Sequence, residues 1–159
     1  MIDNFVKWLK NDGWRVCEYD NRLKLDELKD VLSKYNFVDE AYLKFLTIIK
    51  RAVNEAENMW FICYDEFIGN SDIAFKWNEF ENISLEAAEE DISWQEDIRL
   101  FWENHLPIIM SVADSYSYYA INLNGEIVFG MEPEFEEVKK IANTFEEFIN
   151  MIMNRKILL

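Results

Sequence analysis

Between Ala52 and Val138 the chain carries twenty Asp and Glu residues against two basic ones, Lys76 and Arg99. Carboxylates at that density are suited to three kinds of chemistry. Two can act as a general acid and base, several can converge on a hard cation, or a field of them can hold a basic partner. The densest group is Glu132, Glu134, Glu136 and Glu137 in the segment MEPEFEEVKK. A second runs from Glu79 to Asp97 and includes Glu86, Glu89, Glu90 and Asp91. A Ca²⁺ or Mg²⁺ site needs several oxygens converging at about 2.0–2.6 Å, normally on a rigid loop, and no EF-hand spacing is present. In so acidic a stretch, clusters arise by composition alone. The expected role is a solvated acidic face, with partner binding as its functional form and no metal.

Other catalytic signals are sparse. His105 is the single histidine, so any histidine-based triad would have to use it, with Ser111 and Asp114 as its neighbours in sequence. Proximity along the chain does not assemble a triad. Cys17 and Cys63 are too few and too far apart for a disulfide framework and read as reduced thiols. No Gly-rich phosphate loop and no paired Cys/His metal spacing occurs, so no cofactor is expected.

The charge is unevenly spread. Met1 to Arg51 hold nine acids and ten bases, and Lys139 to Leu159 two acids and four bases, so the net charge of −15 belongs to the middle. Such a field repels nucleic acid and anionic membranes and attracts basic surfaces. Tyr116, Tyr118 and Tyr119 in SYSYYAINL could stack bases only if positive charge accompanied them, and none does. Half the residues are apolar and 16% aromatic, which excludes a disordered acidic chain. The longest uncharged run is eleven residues, Ser115 to Gly125, too short for a membrane-spanning helix. Met1 to Lys10 is amphipathic and lacks a signal-peptide h-region, so a cytoplasmic location is expected.

The elements that must display these acids can be read from periodicity. Ile2, Phe5, Val6 and Leu9 predict a first helix ending at Gly13, and Trp14 to Tyr19 a short strand. Leu25, Leu28, Leu32 and Tyr35 mark a second helix. Asp39 caps a third, in which Tyr42, Phe45, Leu46, Ile49 and Val53 share a face. Met59 to Tyr64 reads as a buried strand. Ser93 with Glu96, and Thr144 with Glu147, have capping-box spacing. The first box opens a helix with Trp94, Ile98, Phe101, Trp102 and His105 on one face, stopped by Pro107. The second opens a helix with Phe145, Phe148, Ile149 and Ile152. Between them lie strands at Ile108 to Val112, Tyr118 to Leu123 and Glu126 to Met131, the last two joined by a two-residue Asn124-Gly125 turn. The reading is one α+β domain over residues 1–159: N-terminal helices, a mostly antiparallel sheet and a closing helix.

Tyr116 to Ile152, YSYYAINLNGEIVFGMEPEFEEVKKIANTFEEFINMI, resembles the ending of SUKH-superfamily domains, with Ile141, Ala142, Thr144, Phe145, Phe148 and Ile149 matching in turn. Upstream, VDEAYLKFL is similar to the family's short helix motif through Tyr42, Phe45 and Leu46. Asp39 stands where proline is usual, and the Gly-rich stretch common after that helix is missing. The resemblance implies two branches. Bacterial members are cytoplasmic immunity proteins that neutralise toxins, often nucleases; eukaryotic members are cell-wall and signalling adaptors. Neither branch implies a catalytic residue.

The leading expectation is therefore an immunity protein whose acidic surface captures a basic toxin domain. A non-enzymatic regulatory adaptor is the alternative, and a carboxylate- or metal-dependent enzyme the third. The expected contact residues form two patches: Asp114, Tyr116, Tyr118, Glu132, Glu134, Glu136 and Glu137 near a sheet end, and Glu86, Glu89, Glu90 and Asp91 in the helical stretch. Nucleic acid and membrane are not expected partners.

Overall fold

A computed structural model describes all residues, Met1–Leu159. Seven strands form one antiparallel sheet whose spatial order repeats the chain order: β1 (Arg15–Glu18), β2 (Ile49–Val53), β3 (Met59–Phe61), β4 (His105–Ser111), β5 (Ser117–Asn122), β6 (Ile127–Met131) and β7 (Lys139–Ala142). Helix α1 (Ile2–Asn11) precedes β1. Helices α2 (Leu25–Val31) and α3 (Glu40–Ile48) fill the β1–β2 connection, and α4 (Tyr64–Phe67), α5 (Glu79–Ala87) and α6 (Ile92–Glu103) the β3–β4 connection. Helix α7 (Phe145–Met153) closes the chain. The architecture is α+β, as the sequence pattern predicts.

Successive strand residues face opposite sides of a sheet, and this sheet buries both. On one side Phe61, Ile109, Ile121 and Ile127 pack under α1, α2, α3 and α7 in a core of 27 buried residues. Phe45 is its hub, with ring centroids 6.1 Å from Phe5, 5.1 Å from Phe61 and 5.9 Å from Phe145. On the other side Trp60, Met110, Tyr118, Ala120 and Val128 meet Phe80, Ala88, Ile98 and Trp102 of the α5–α6 region, a smaller core of 12. The acidic middle of the chain is thus the outer layer of the second face.

Several boundaries differ from the periodicity reading. Helix α3 stops at Ile48, and Ile49 to Val53 form β2, because the slot between β1 and β3 captures them. Their β-branched residues suit a strand as well as a helix face. Helix α6 begins earlier than the Ser93 box implies: the Asp91 carboxylate accepts the Trp94 N–H at 3.0 Å, and Ser93 lies inside the first turn. Helix α6 ends at Glu103, and His105 opens β4, in which Pro107 occupies a register shift where the ladder is already broken. Strand β3 ends at Phe61, after which Tyr64 starts a single helical turn. The β5–β6 connection is four residues, 123–126, rather than a two-residue turn. Gly125 alone takes positive φ (+76°), and its N–H donates to the Asn122 carbonyl.

Candidate protein-binding surface

Five aromatic residues bring the two acidic stretches together. Phe80 of α5 stacks on Phe135 with centroids 4.7 Å apart and planes 12° from parallel. It also stacks on Tyr116, at 5.9 Å. Tyr118 donates its hydroxyl to the Phe135 carbonyl, and the Trp102 indole N–H of α6 donates to Glu136 Oε1 at 2.9 Å. Segment 132–138 is thereby clamped against α5 and α6. The two predicted patches adjoin through this aromatic set.

Their residues divide by role. Glu86, Glu89, Glu90, Asp91, Asp114, Glu132, Glu134 and Glu137 are exposed. Tyr116 and Glu136 are half-buried, the latter held by Trp102. Tyr118 is 1% exposed, so its place among the contact residues is corrected: it is a core side chain whose hydroxyl fastens the acidic segment. Asp91 and Glu132 also have local duties. Asp91 caps α6, and the Glu132 carboxylate accepts the Tyr116 N–H at 2.8 Å. The turn between α5 and α6 is fixed by Gln95, whose amide donates to the Ala88 and Glu89 carbonyls at 3.0 and 3.1 Å.

The acids of this face are not neutralised within the molecule. Six ion pairs form, joining Lys10–Glu18, Arg15–Glu57, Arg22–Asp3, Lys44–Glu40, Lys140–Glu126 and Arg155–Asp12. None uses an acid from 79–97 or 132–137. Arg99, embedded among them, donates to Gln95 at 3.3 Å instead. Beneath the surface, burial pushes the Glu81 carboxyl up, Lys34 draws it down and Glu103 pushes it up again.

Sequence reasoning missed the apolar component. Ile92, Trp94 and Leu100 of α6 are 72%, 46% and 59% exposed. Ile92 and Leu100 lie eight residues apart with Glu96 midway, one stripe along the outside of the helix. Trp94 was expected on the buried face with Ile98 and Trp102, and only those two are buried. With Asp91 recognised as the cap, the helical phase turns Leu100 about half a turn, and Ile92 about a quarter turn, away from the Ile98–Trp102 row; that is the signal available in the sequence.

The catalytic alternatives find little geometry. His105 stacks on Phe101 at 3.8 Å, with Nδ1 2.7 Å from the Phe101 carbonyl oxygen, and burial pulls its pKa down. It stands six residues along β4 from Ser111, roughly 20 Å at strand rise, so the two do not meet. No three His, Cys, Asp or Glu side chains converge as a metal-binding group. No helix is long and apolar enough to cross a membrane.

Residues 22–151 match the SMI1 / KNR4 family (SUKH-1), and the chain belongs to it. The match runs from before α2 almost to the end of α7 and includes both acidic stretches; α1 and β1 lie outside it. No curated protein and no solved structure matches the chain.

Proposed function

We propose that this protein is a cytoplasmic immunity protein that captures a basic toxin domain, of nuclease type, on the outer face of α5, α6 and segment 132–137. The observation that carries the reading is a run of exposed carboxylates without an internal ion pair, on the same stretch of chain as the exposed Ile92, Trp94 and Leu100. A nuclease holds phosphate with positive charge, so an acidic partner complements its active face and competes with its substrate. Exposed charges steer the encounter, and an exposed aromatic such as Trp94 contributes the slow dissociation that charge alone does not. Family membership supports the reading because bacterial relatives in this superfamily serve as immunity proteins.

The test is co-expression with a basic toxin domain encoded in a neighbouring gene, where the gene's surroundings hold one. Survival with the wild type, lost on Trp94→Ala combined with Glu89→Lys and Glu90→Lys, supports the proposal. Toxicity undiminished by the wild type sinks it and leaves the regulatory adaptor as the better account.

A further inference from the structure

Lys76 and Arg99, the two bases among twenty acids between Ala52 and Val138, line one groove. The groove holds about 930 Å³ between the outer side of α5, the flank of α6 and the chain at 74–76. Glu79 and Glu86 of α5, and Glu89 just beyond it, line the same groove. Helical phase explains the row of acids. Phe80, Ser84 and Ala88 are buried, so positions 79, 86 and 89 fall on the opposite side.

None of these charges is ion-paired. Arg99 has Glu96 three residues before it and Glu103 four after it, the spacings at which helix ion pairs form, and it pairs with neither. Its guanidinium donates instead to Gln95 Oε1 at 3.3 Å. The Gln95 amide is fixed on the Ala88 and Glu89 carbonyls, so the arginine is drawn to the groove side of α6. Lys76 is exposed, and its carbonyl accepts the Glu79 N–H at 3.1 Å, which sets the lysine beside the start of α5. The face as a whole is strongly negative, while the groove within it carries three acids against two bases. The groove therefore holds a pattern of charge and not an excess of one sign.

We infer that this groove selects the partner of the acidic face, and that it takes an extended protein segment in which a carboxylate is flanked by Lys or Arg. The inference rests on the acidic face as a docking surface and names what its partner carries. The segment's carboxylate meets Arg99 and Lys76, the guanidinium offering the planar fork that suits a carboxylate. Its bases meet Glu79, Glu86 and Glu89. Only Ala74 and Leu85 are apolar among the lining residues, so a small apolar molecule has almost no wall to pack on. An uninterrupted polycation, which the surrounding acids attract, meets two like charges inside the groove. Like charges across an interface suppress wrong partners, so Lys76 and Arg99 separate one basic partner from every other cation the face draws in.

The probe is a library of short random peptides, selected on the immobilised full-length protein. Enriched sequences are synthesised with a fluorophore and titrated by anisotropy beside an oligolysine of equal length. The expected peptides carry Asp or Glu between Lys or Arg residues. Arg99→Glu, at an exposed position, weakens their binding by about fivefold or more and tightens that of oligolysine. Lys76→Glu acts in the same two directions, and neither variant changes the melting curve. The opposite signs are the decisive readout, because a face that merely collects cations binds both probes more tightly when Arg99 becomes an acid. Tightening of both probes overturns the inference, and so does enrichment of uniformly basic peptides or of none. Those results leave a survival result from toxin co-expression standing, so failure of the groove is distinct from failure of the acidic face.

Discussion

The Asp39 carboxylate joins two helix starts distant in sequence: Oδ1 accepts the Tyr42 N–H of α3 at 2.9 Å, and Oδ2 accepts the N–H of Phe145 of α7, 106 residues along the chain from Asp39, at 3.3 Å. Unpaired N–H groups at a helix start favour an anion, and here one anion serves two starts whose aromatic residues pack on each other, Tyr42 against Phe145 at 5.2 Å. Helix α7 has a second cap in Thr144, which accepts the Glu147 N–H at 3.1 Å.

Asp39→Ala is therefore expected to cost about 1–3 kcal/mol, more than an ordinary single cap, because two donors at a partly buried site lose their acceptor. Asp39→Asn, which keeps one oxygen, should cost less. Urea denaturation of the three proteins checks the order. Equal stability of Asp39→Ala and wild type would show that the carboxylate spans the two helices without holding them.

Gly130 of β6 faces Tyr118 of β5 so closely that a Cβ would lie 2.6 Å from the Tyr118 ring and hydroxyl. The ring has little freedom to move, since it is 1% exposed and its hydroxyl is bound to the Phe135 carbonyl. Gly130→Ala should destabilise by about 1–3 kcal/mol and loosen segment 132–138. Hydrogen exchange at the Phe135–Val138 amides reads the second effect. Unchanged exchange and an unchanged melt would mean that Tyr118 yields without disturbing the acidic segment.

His105 gives a pH dependence of definite sign. Burial lowers its pKa in the folded protein below the ordinary 6.5, and the Phe101 carbonyl offsets this only in part. Between the lowered value and 6.5 the unfolded chain binds more protons, so this contribution to stability is complete above pH 6.5 and lost as pH falls through the folded value. As His105 is the only histidine, its ring C–H resonances report the titration without overlap. The expected midpoint is below 6.5, and wild type should lose stability relative to His105→Gln on acidification. A midpoint at or above 6.5 would contradict the burial account.

Elements whose local chemistry and packing agree were legible in the sequence. Asp39 and Thr144 are caps because short polar side chains precede apolar helical rows, and both caps form. Where two local solutions compete, the sequence left the choice to the fold. Ser93 and Asp91 both suit an N-cap, and the carboxylate two residues earlier takes the role. Ile49 and Val53 continue a helical apolar row, yet β1 and β3 offer ladder partners on both sides and the backbone extends. The division of the core between two sheet faces was hidden, because neighbours such as Trp60 and Phe61 are equally apolar and only the sheet sends them apart. For the same reason the acids were visible as an acidic face, while Ile92, Trp94 and Leu100 were not visible as its apolar part: residue type signals burial, and these three are exposed.

The central claim is that the α5–α6 face meets a basic partner, and the rate of association tests it most directly. Glu86, Glu89 and Glu90 are exposed and outside every internal ion pair, and reversing them to Lys leaves the Asp91 cap intact. Stopped-flow association of the purified protein with a cognate basic toxin domain should slow about tenfold or more at low salt in the triple variant. The dependence of that rate on salt should flatten as well, with the melting curve unchanged. An association rate and salt slope equal to those of the wild type would contradict the account.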